Sequence, residues 1–125
     1  MPEPRVALRR AYDPPAAGRK GKRVLVDRVW PRGIRKEDLG ADLWVSELAP
    51  SADLRRWFGH RPERWDEFRR RYREELGQAE RSRLLDELAL LARREPVTLL
   101  YGAKDRNRNQ AVVIMEALED RLEAT

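Results

Sequence analysis

Two stretches of the chain put charge, amide and ring directly behind an apolar run. In VLVDRVWPRG (24–33), Val24, Leu25 and Val26 are followed within seven positions by Asp27, Arg28, Trp30, Arg32 and Gly33. In VTLLYGAKDRNRN (97–109), a β-branched and apolar run leads into Gly102, Lys104, Asp105, Asn107 and Asn109. These residue types suit an anion. The planar fork of arginine grips carboxylate or phosphate through two parallel bonds, and Lys104 adds a compact charge. Gly33 and Gly102 allow close approach of backbone to a ligand, and Trp30 offers a face for stacking. The candidate ligand contacts are therefore Arg28, Trp30, Arg32, Gly33, Lys104 and Asn109. Asp27 or Asp105 would orient the ligand or move a proton. A carboxylate beside an ammonium has a lowered pKa, which favours the orienting role over that of general acid. The same groups also have structural uses. Asp27–Arg28 and Lys104–Asp105 could be ion pairs holding loops to a sheet edge, and Asp105 or Asn107 could cap the last helix.

His60, in WFGHRPERW, is the single histidine. Imidazole titrates closest to neutrality of all side chains, which makes His60 the third catalytic candidate beside Asp27 and Asp105. Its place between two helices equally suits an imidazole that satisfies backbone groups. Trp57 and Trp65 fall on helical stripes and read as core, whereas Trp30 and Trp44 fall in loop-like segments that could line a cleft. Several chemistries are set aside. There is no GxxxxGK[ST] loop, no GxGxxG after a strand and no serine in a nucleophile elbow. With no cysteine, disulfides, thiolate nucleophiles and Cys-ligated metal sites are excluded. One histidine and no tight acidic cluster leave no metal or cofactor expected.

The elements that must position these residues follow from periodicity. RVALRRAY (5–12) alternates Val6, Leu8 and Tyr12 as an edge strand would. The Pro- and Gly-dense stretch 13–22 is a loop. Val24-Leu25-Val26 suits a strand buried on both faces, as in parallel sheets. Between Pro31 and Asp53 the period is poor, and a short helix is expected at 42–48. Ser51 is an N-cap for a short helix, and Pro62 fits the first turn of the next. Trp65, Phe68, Tyr72 and Leu76 form one apolar stripe. Leu84, Leu85, Leu88 and Leu91 form another over 80–94. Pro96 stops that helix, VTLLY is the third strand, and a last helix over 107–123 should bury Val112, Met115, Leu118 and Leu122. Strands separated by helical segments predict a single small α/β domain over 1–125, with a mainly parallel sheet flanked by helices. In such sheets ligands bind beyond the carboxyl ends of the strands, which is where both charged stretches would meet.

The chain has 125 residues, a length for one domain. Charged residues reach 39% against roughly 25% in ordinary soluble domains, and the net charge is +5. That balance favours encounter with anions, although acidic residues are interspersed almost throughout. The opening MPEPRVALRR lacks the apolar run of a secretory signal. No window approaches the roughly 20 apolar residues of a membrane span. The expectation is a soluble cytoplasmic protein that does not enter membranes; its oligomeric state is left open.

KRVLVDRVWPRG, KEDLGADLWVSELAPSADLRRWFGH, PERWDEFRRRYREEL and VTLLYGAKDRNRNQAVVI together resemble the YeaO-like branch of the DUF488 family, in the same order and over nearly the whole chain. The resemblance implies a compact α/β fold in a bacterial or archaeal cytoplasmic protein and leaves the reaction open. The family pattern falls on Asp27, Arg28, Trp30, Pro31, Arg32 and Gly33, continues with Lys36, Trp44, Leu48, Pro50, Ser51, Trp57, Phe58 and His60, and ends on Ala103, Lys104, Asp105, Asn109 and Ala111. Two positions depart from it. Arg61 stands where related chains carry an aspartate, and Arg108 stands at or beside a second histidine. The Cys-His-Arg cluster of broader DUF488 proteins is replaced here by Asn109, Gln110 and Ala111, so no thiol chemistry carries over. Three functions are weighed: a pocket for a small phosphorylated or nucleotide-like anion, with or without catalysis; a nucleic-acid-binding module using the arginines at 55, 56, 69, 70, 71 and 73; and a protein-interaction domain.

Overall fold

Val24, Leu25 and Val26 have no exposed surface, as does Leu99 on the neighbouring strand. Such burial requires cover on both faces of a sheet, and the computed structural model, which describes residues 5–14 and 20–124, supplies it. Four strands run β1 (Val6–Arg10), β2 (Lys22–Leu25), β3 (Leu43–Trp44) and β4 (Val97–Tyr101), in the spatial order β1-β4-β2-β3. Every pairing is parallel, with Leu99 opposite both Leu8 and Val24. The α/β class and the parallel sheet agree with the sequence reading, and β1 is an edge strand as its alternation suggested. Residues 15–19 of the expected 13–22 loop lie outside the described residues.

Side chains alternate across the strands, so the two faces carry different cores. Val24, Val26, Val97, Leu99 and Tyr101 point to one face, where helices α2 (Ala52–Phe58), α3 (Trp65–Leu76), α4 (Ala79–Arg94) and α5 (Gln110–Glu123) build the main core. Leu25 and Leu100 point to the other, with Ala11, Trp30, Ile34 and Leu39. The short helix α1 (Lys36–Leu39) belongs to that second face. Tyr72 of α3 is wholly buried, and its hydroxyl donates to the Leu48 carbonyl at 2.6 Å, so the ring enters the core without an unmet polar group. Phe58 and Phe68 stack at 4.3 Å between centroids, joining α2 to α3. Among the described residues no helix is long and apolar enough to cross a membrane.

Ser51 caps α2 as predicted, accepting from the Leu54 N–H, and Pro62 opens a 3-10 turn before α3. Three local expectations are corrected. The helix expected at 42–48 is the two-residue strand β3 followed by a 3-10 turn at Ser46–Leu48. The β2 carbonyls decide this, because Arg23 and Leu25 accept from Asp42 and Val45 and draw that backbone into the ladder. The last helix begins at Gln110 rather than 107, since Asn109 is its cap. Its fully buried residues are Ala111, Val113, Ile114 and Leu118, while Val112, Met115 and Leu122 are half-buried. Helix α5 touches α3, α4 and the strands at once, so its buried face is wider than one stripe.

The turn into β2 has no room for a side chain. Gly21 has φ +104°, and a Cβ there would stand 2.0 Å from the Pro96 carbonyl oxygen, which accepts the Lys22 N–H. Gly21→Ala is expected to cost more than about 3 kcal/mol. Urea unfolding of the two chains measures it, and an unchanged midpoint would contradict this turn geometry.

Candidate functional site

The carboxyl ends of β2 and β4 are adjacent, so the residues just beyond them share one rim. Asp27 leaves β2 there and Gly102 leaves β4. Asp27 Oδ2 accepts the Gly102 N–H at 2.8 Å, and its Oδ1 accepts from the side-chain amide of Gln110, the first residue of α5. The absence of a side chain at Gly102 permits this, since a Cβ would sit 2.8 Å from the same oxygen. The Asp27 carbonyl accepts in turn from the Trp44 indole at 2.8 Å. Asp27 thus ties together two strands, the edge strand and the last helix. The two sequence stretches that suggested a site do converge.

Around Asp27 opens a cavity of about 380 Å³. Its more buried wall is formed by Asp27, Gly102, Gln110, Phe58 and Phe68, and its exposed rim by Tyr12, Arg28, Arg55 and His60. Trp30 lines it as well, with its indole N–H held by the Ile34 carbonyl at 2.7 Å and its ring edge-on to Trp44 at 5.5 Å. His60 follows Gly59, and both are left-handed, at φ +56° and +52°. That backbone is uncommon for a residue with a side chain and costs on the order of 1–3 kcal/mol.

Burial pushes the Asp27 carboxyl up to about 6 from its ordinary 3.8, although the Gly102 N–H and the Gln110 amide favour the ionised form. No cation contributes, and Asp27 has no ion-pair partner among the described residues. The Asp27–Arg28 ion pair that the sequence allowed as a structural alternative is not formed; Arg28 reaches Glu47 at 3.3 Å instead, on the surface.

The other candidates divide. Arg28, Trp30, His60 and Asn109 line the cavity with Asp27. Arg32, Gly33 and Lys104 are near in sequence but do not line it; Gly33 has φ +81° and open space beside it. Asn109 is buried and occupied: its carbonyl oxygen accepts the Ala111 and Val112 N–H groups while its amide donates to the Asp105 carbonyl. Asp105 caps the preceding turn, accepting from Asn107 and Arg108, and the Asn107 N–H holds its carboxyl below the usual range. Lys104 does not pair with it; Arg108 does, at 3.3 Å. Among the described residues no group of three or more His, Asp or Glu could hold a metal ion.

Residues 5–125 match the family model described as the inactive DUF488-N3 subclade. The chain belongs to the DUF488 family. It is 42% identical to the uncharacterised protein YeaO of Escherichia coli K12, over 90% of this chain and 96% of that one. Uncharacterised proteins of Mycobacterium tuberculosis and Mycobacterium bovis are 43% identical to it, over 95% of this chain and 98% of theirs. No solved structure matches.

In this DUF488 chain the cavity also takes residues that the sequence did not suggest as contacts of a small ligand. Tyr12, Arg55, Phe58, Phe68 and Gln110 come from β1's exit, α2, α3 and α5. Arg55 had been grouped with the surface arginines of α2 and α3, and the structure separates it from them. Arg56 pairs with Asp53, Arg69 with Glu116, Arg70 with Glu67 and Glu74, Arg71 with Glu67, and Arg73 with Asp120. Arg55 has no carboxylate partner among the described residues.

A raised carboxyl pKa means that the folded chain binds the Asp27 proton more tightly than the unfolded chain does. The associated stability is fully present below about pH 4 and is lost as pH rises through about 6. Asp27→Asn keeps the shape and removes the charge. Between pH 4 and pH 7.5 its stability relative to the natural chain is expected to rise by roughly 2–3 kcal/mol, whatever the constant offset from exchanging one acceptor for an amide donor. Chemical unfolding at the two pH values reads this directly. The same difference at both would show that Asp27 carries no burial cost.

Proposed function

We propose that the cavity above the β2–β4 edge binds a small anionic, nucleotide-like ligand. The observation that carries this reading is the carboxylate of Asp27, half-buried at the inner wall of an open cavity with no cation to neutralise it. A buried charge without a partner is expensive, and proteins that retain one commonly use it. The rest of the wall agrees. A volume near 380 Å³ lies in the range of small-molecule pockets, which pair apolar and aromatic walls with a few placed polar groups. Trp30, Phe58 and Phe68 supply aromatic surface, and Tyr12 adds a ring at the rim. Arg28 and Arg55 put positive charge where the ligand would meet solvent, suited to a phosphate. The description of the subclade as inactive supports binding without turnover.

This reading keeps Arg28 and Trp30 from the sequence candidates and adds Arg55 in place of Arg32 and Lys104. It is preferred to nucleic-acid binding because carboxylates on the same face hold most of the arginines that such a module would use. The groove between α3 and α5 has Glu116, Glu119, Asp120 and Glu123 along it, which a phosphate backbone would not favour.

Thermal unfolding against a panel of nucleoside monophosphates tests the proposal. A bound member at 100 times its Kd should add about 2.7 kcal/mol of stability. In an Arg28→Ala/Arg55→Ala double variant that gain should largely vanish. A flat response across the panel, or a shift that survives the double substitution, would overturn it.

A further inference from the structure

The cavity's hydrogen-bonding groups are not evenly divided between donors and acceptors. Most donors facing the cavity are already used. The Trp30 indole donates to the Ile34 carbonyl, one Asn109 amide hydrogen to the Asp105 carbonyl and the Gly102 N–H to Asp27, and at the rim the Tyr12 hydroxyl donates to the Arg32 carbonyl. The acceptors are not used up. Each Asp27 oxygen takes one bond in the structure and has a second lone pair available. The Gln110 amide gives one hydrogen to Asp27 and has a second to offer. Asp27 and Gln110 both line the cavity, so a carboxylate with spare acceptor capacity stands beside an amide donor there.

Resting on the nucleotide reading above, we infer that the inner wall selects a ring with two adjacent N–H donors next to a carbonyl, the edge that guanine presents. The ring N–H and the exocyclic amino group meet the two Asp27 oxygens, and the neighbouring carbonyl accepts the second Gln110 hydrogen. A planar ring bound this way lies among Trp30, Phe58 and Phe68, and its phosphate points toward Arg28 and Arg55. Adenine fits poorly, because its ring nitrogen would turn a lone pair toward a carboxylate oxygen. Hypoxanthine keeps the ring N–H but has no amino group, so one acceptor stays unmet. A site built around such bonds rejects a ligand that leaves one of them unmade.

Isothermal titration of the natural chain and Asp27→Asn with GMP, IMP, AMP and XMP tests the inference at pH 7.5. For the natural chain GMP should bind tightest, IMP about ten- to a hundred-fold more weakly, and AMP more weakly still. In Asp27→Asn one acceptor becomes a donor, so XMP, with a carbonyl where guanine has its amino group, should overtake GMP. Equal affinities for GMP, IMP and AMP would overturn the donor-edge inference and leave the nucleotide pocket standing. A GMP preference that persists in Asp27→Asn would overturn it too. If the natural chain binds none of the four, both readings fall together.

Discussion

The hydrogen bond from the Gly102 N–H to the Asp27 carboxylate is the constraint around which the rest is arranged. It spans the carboxyl ends of β2 and β4, and the Gln110 amide closes on the other oxygen from the first turn of α5. Two groups 75 and 83 residues further along the chain therefore meet at one carboxyl group. The carbonyl of the same residue holds Trp44, whose indole braces Trp30 beside the cavity. A β-carbon at position 102 would collide with the carboxylate, so the glycine there serves Asp27 rather than a turn.

That arrangement works against the stability of the fold. The two donors offset only part of the cost of burying a charge, and burial leaves the carboxyl pushed up to about 6 from its ordinary 3.8. His60 adds a second local cost through its left-handed backbone, and it borders the same cavity. Two unfavourable features thus border one opening, the one proposed above as a binding site, while no buried side-chain polar atom lacks a partner among the described residues. Membership of a subclade described as inactive is compatible with this. Binding draws on charge, shape and donor pattern, and none of these requires a group that makes or breaks covalent bonds.

The fold was legible where periodicity is strong. Val24–Val26, the Phe68–Tyr72–Leu76 stripe and the Ser51 cap each carry a local signal that tertiary packing reinforces. β3 was not legible, because two residues show no period and their strand character comes from the Arg23 and Leu25 carbonyls beside them. The convergence of the Asp27 and Gly102 segments followed from the parallel-sheet argument, because both leave the carboxyl ends of neighbouring strands. Arg55 and Gln110 were missed for another reason. Each sits within an ordinary helical run, and only the relative placement of α2 and α5 turns it toward the cavity. Lys104 and Asp105 drew attention as charges after a strand, yet Asp105 is spent on its own turn and Lys104 lies outside the cavity lining.

The sheet's two borders also bear on how the protein behaves at high concentration. β3 offers only Leu43 and Trp44, and the Trp44 indole is already tethered to the Asp27 carbonyl. β1, at the opposite border, ends in Arg9 and Arg10, whose guanidinium groups reach the Asp13 and Ala103 carbonyls. A border so brief on one side and so charged on the other gives a neighbouring chain little backbone to zip onto. A parallel sheet, slow to form because its strands are remote in sequence, thereby gains protection from runaway association during the interval when its margins are bare.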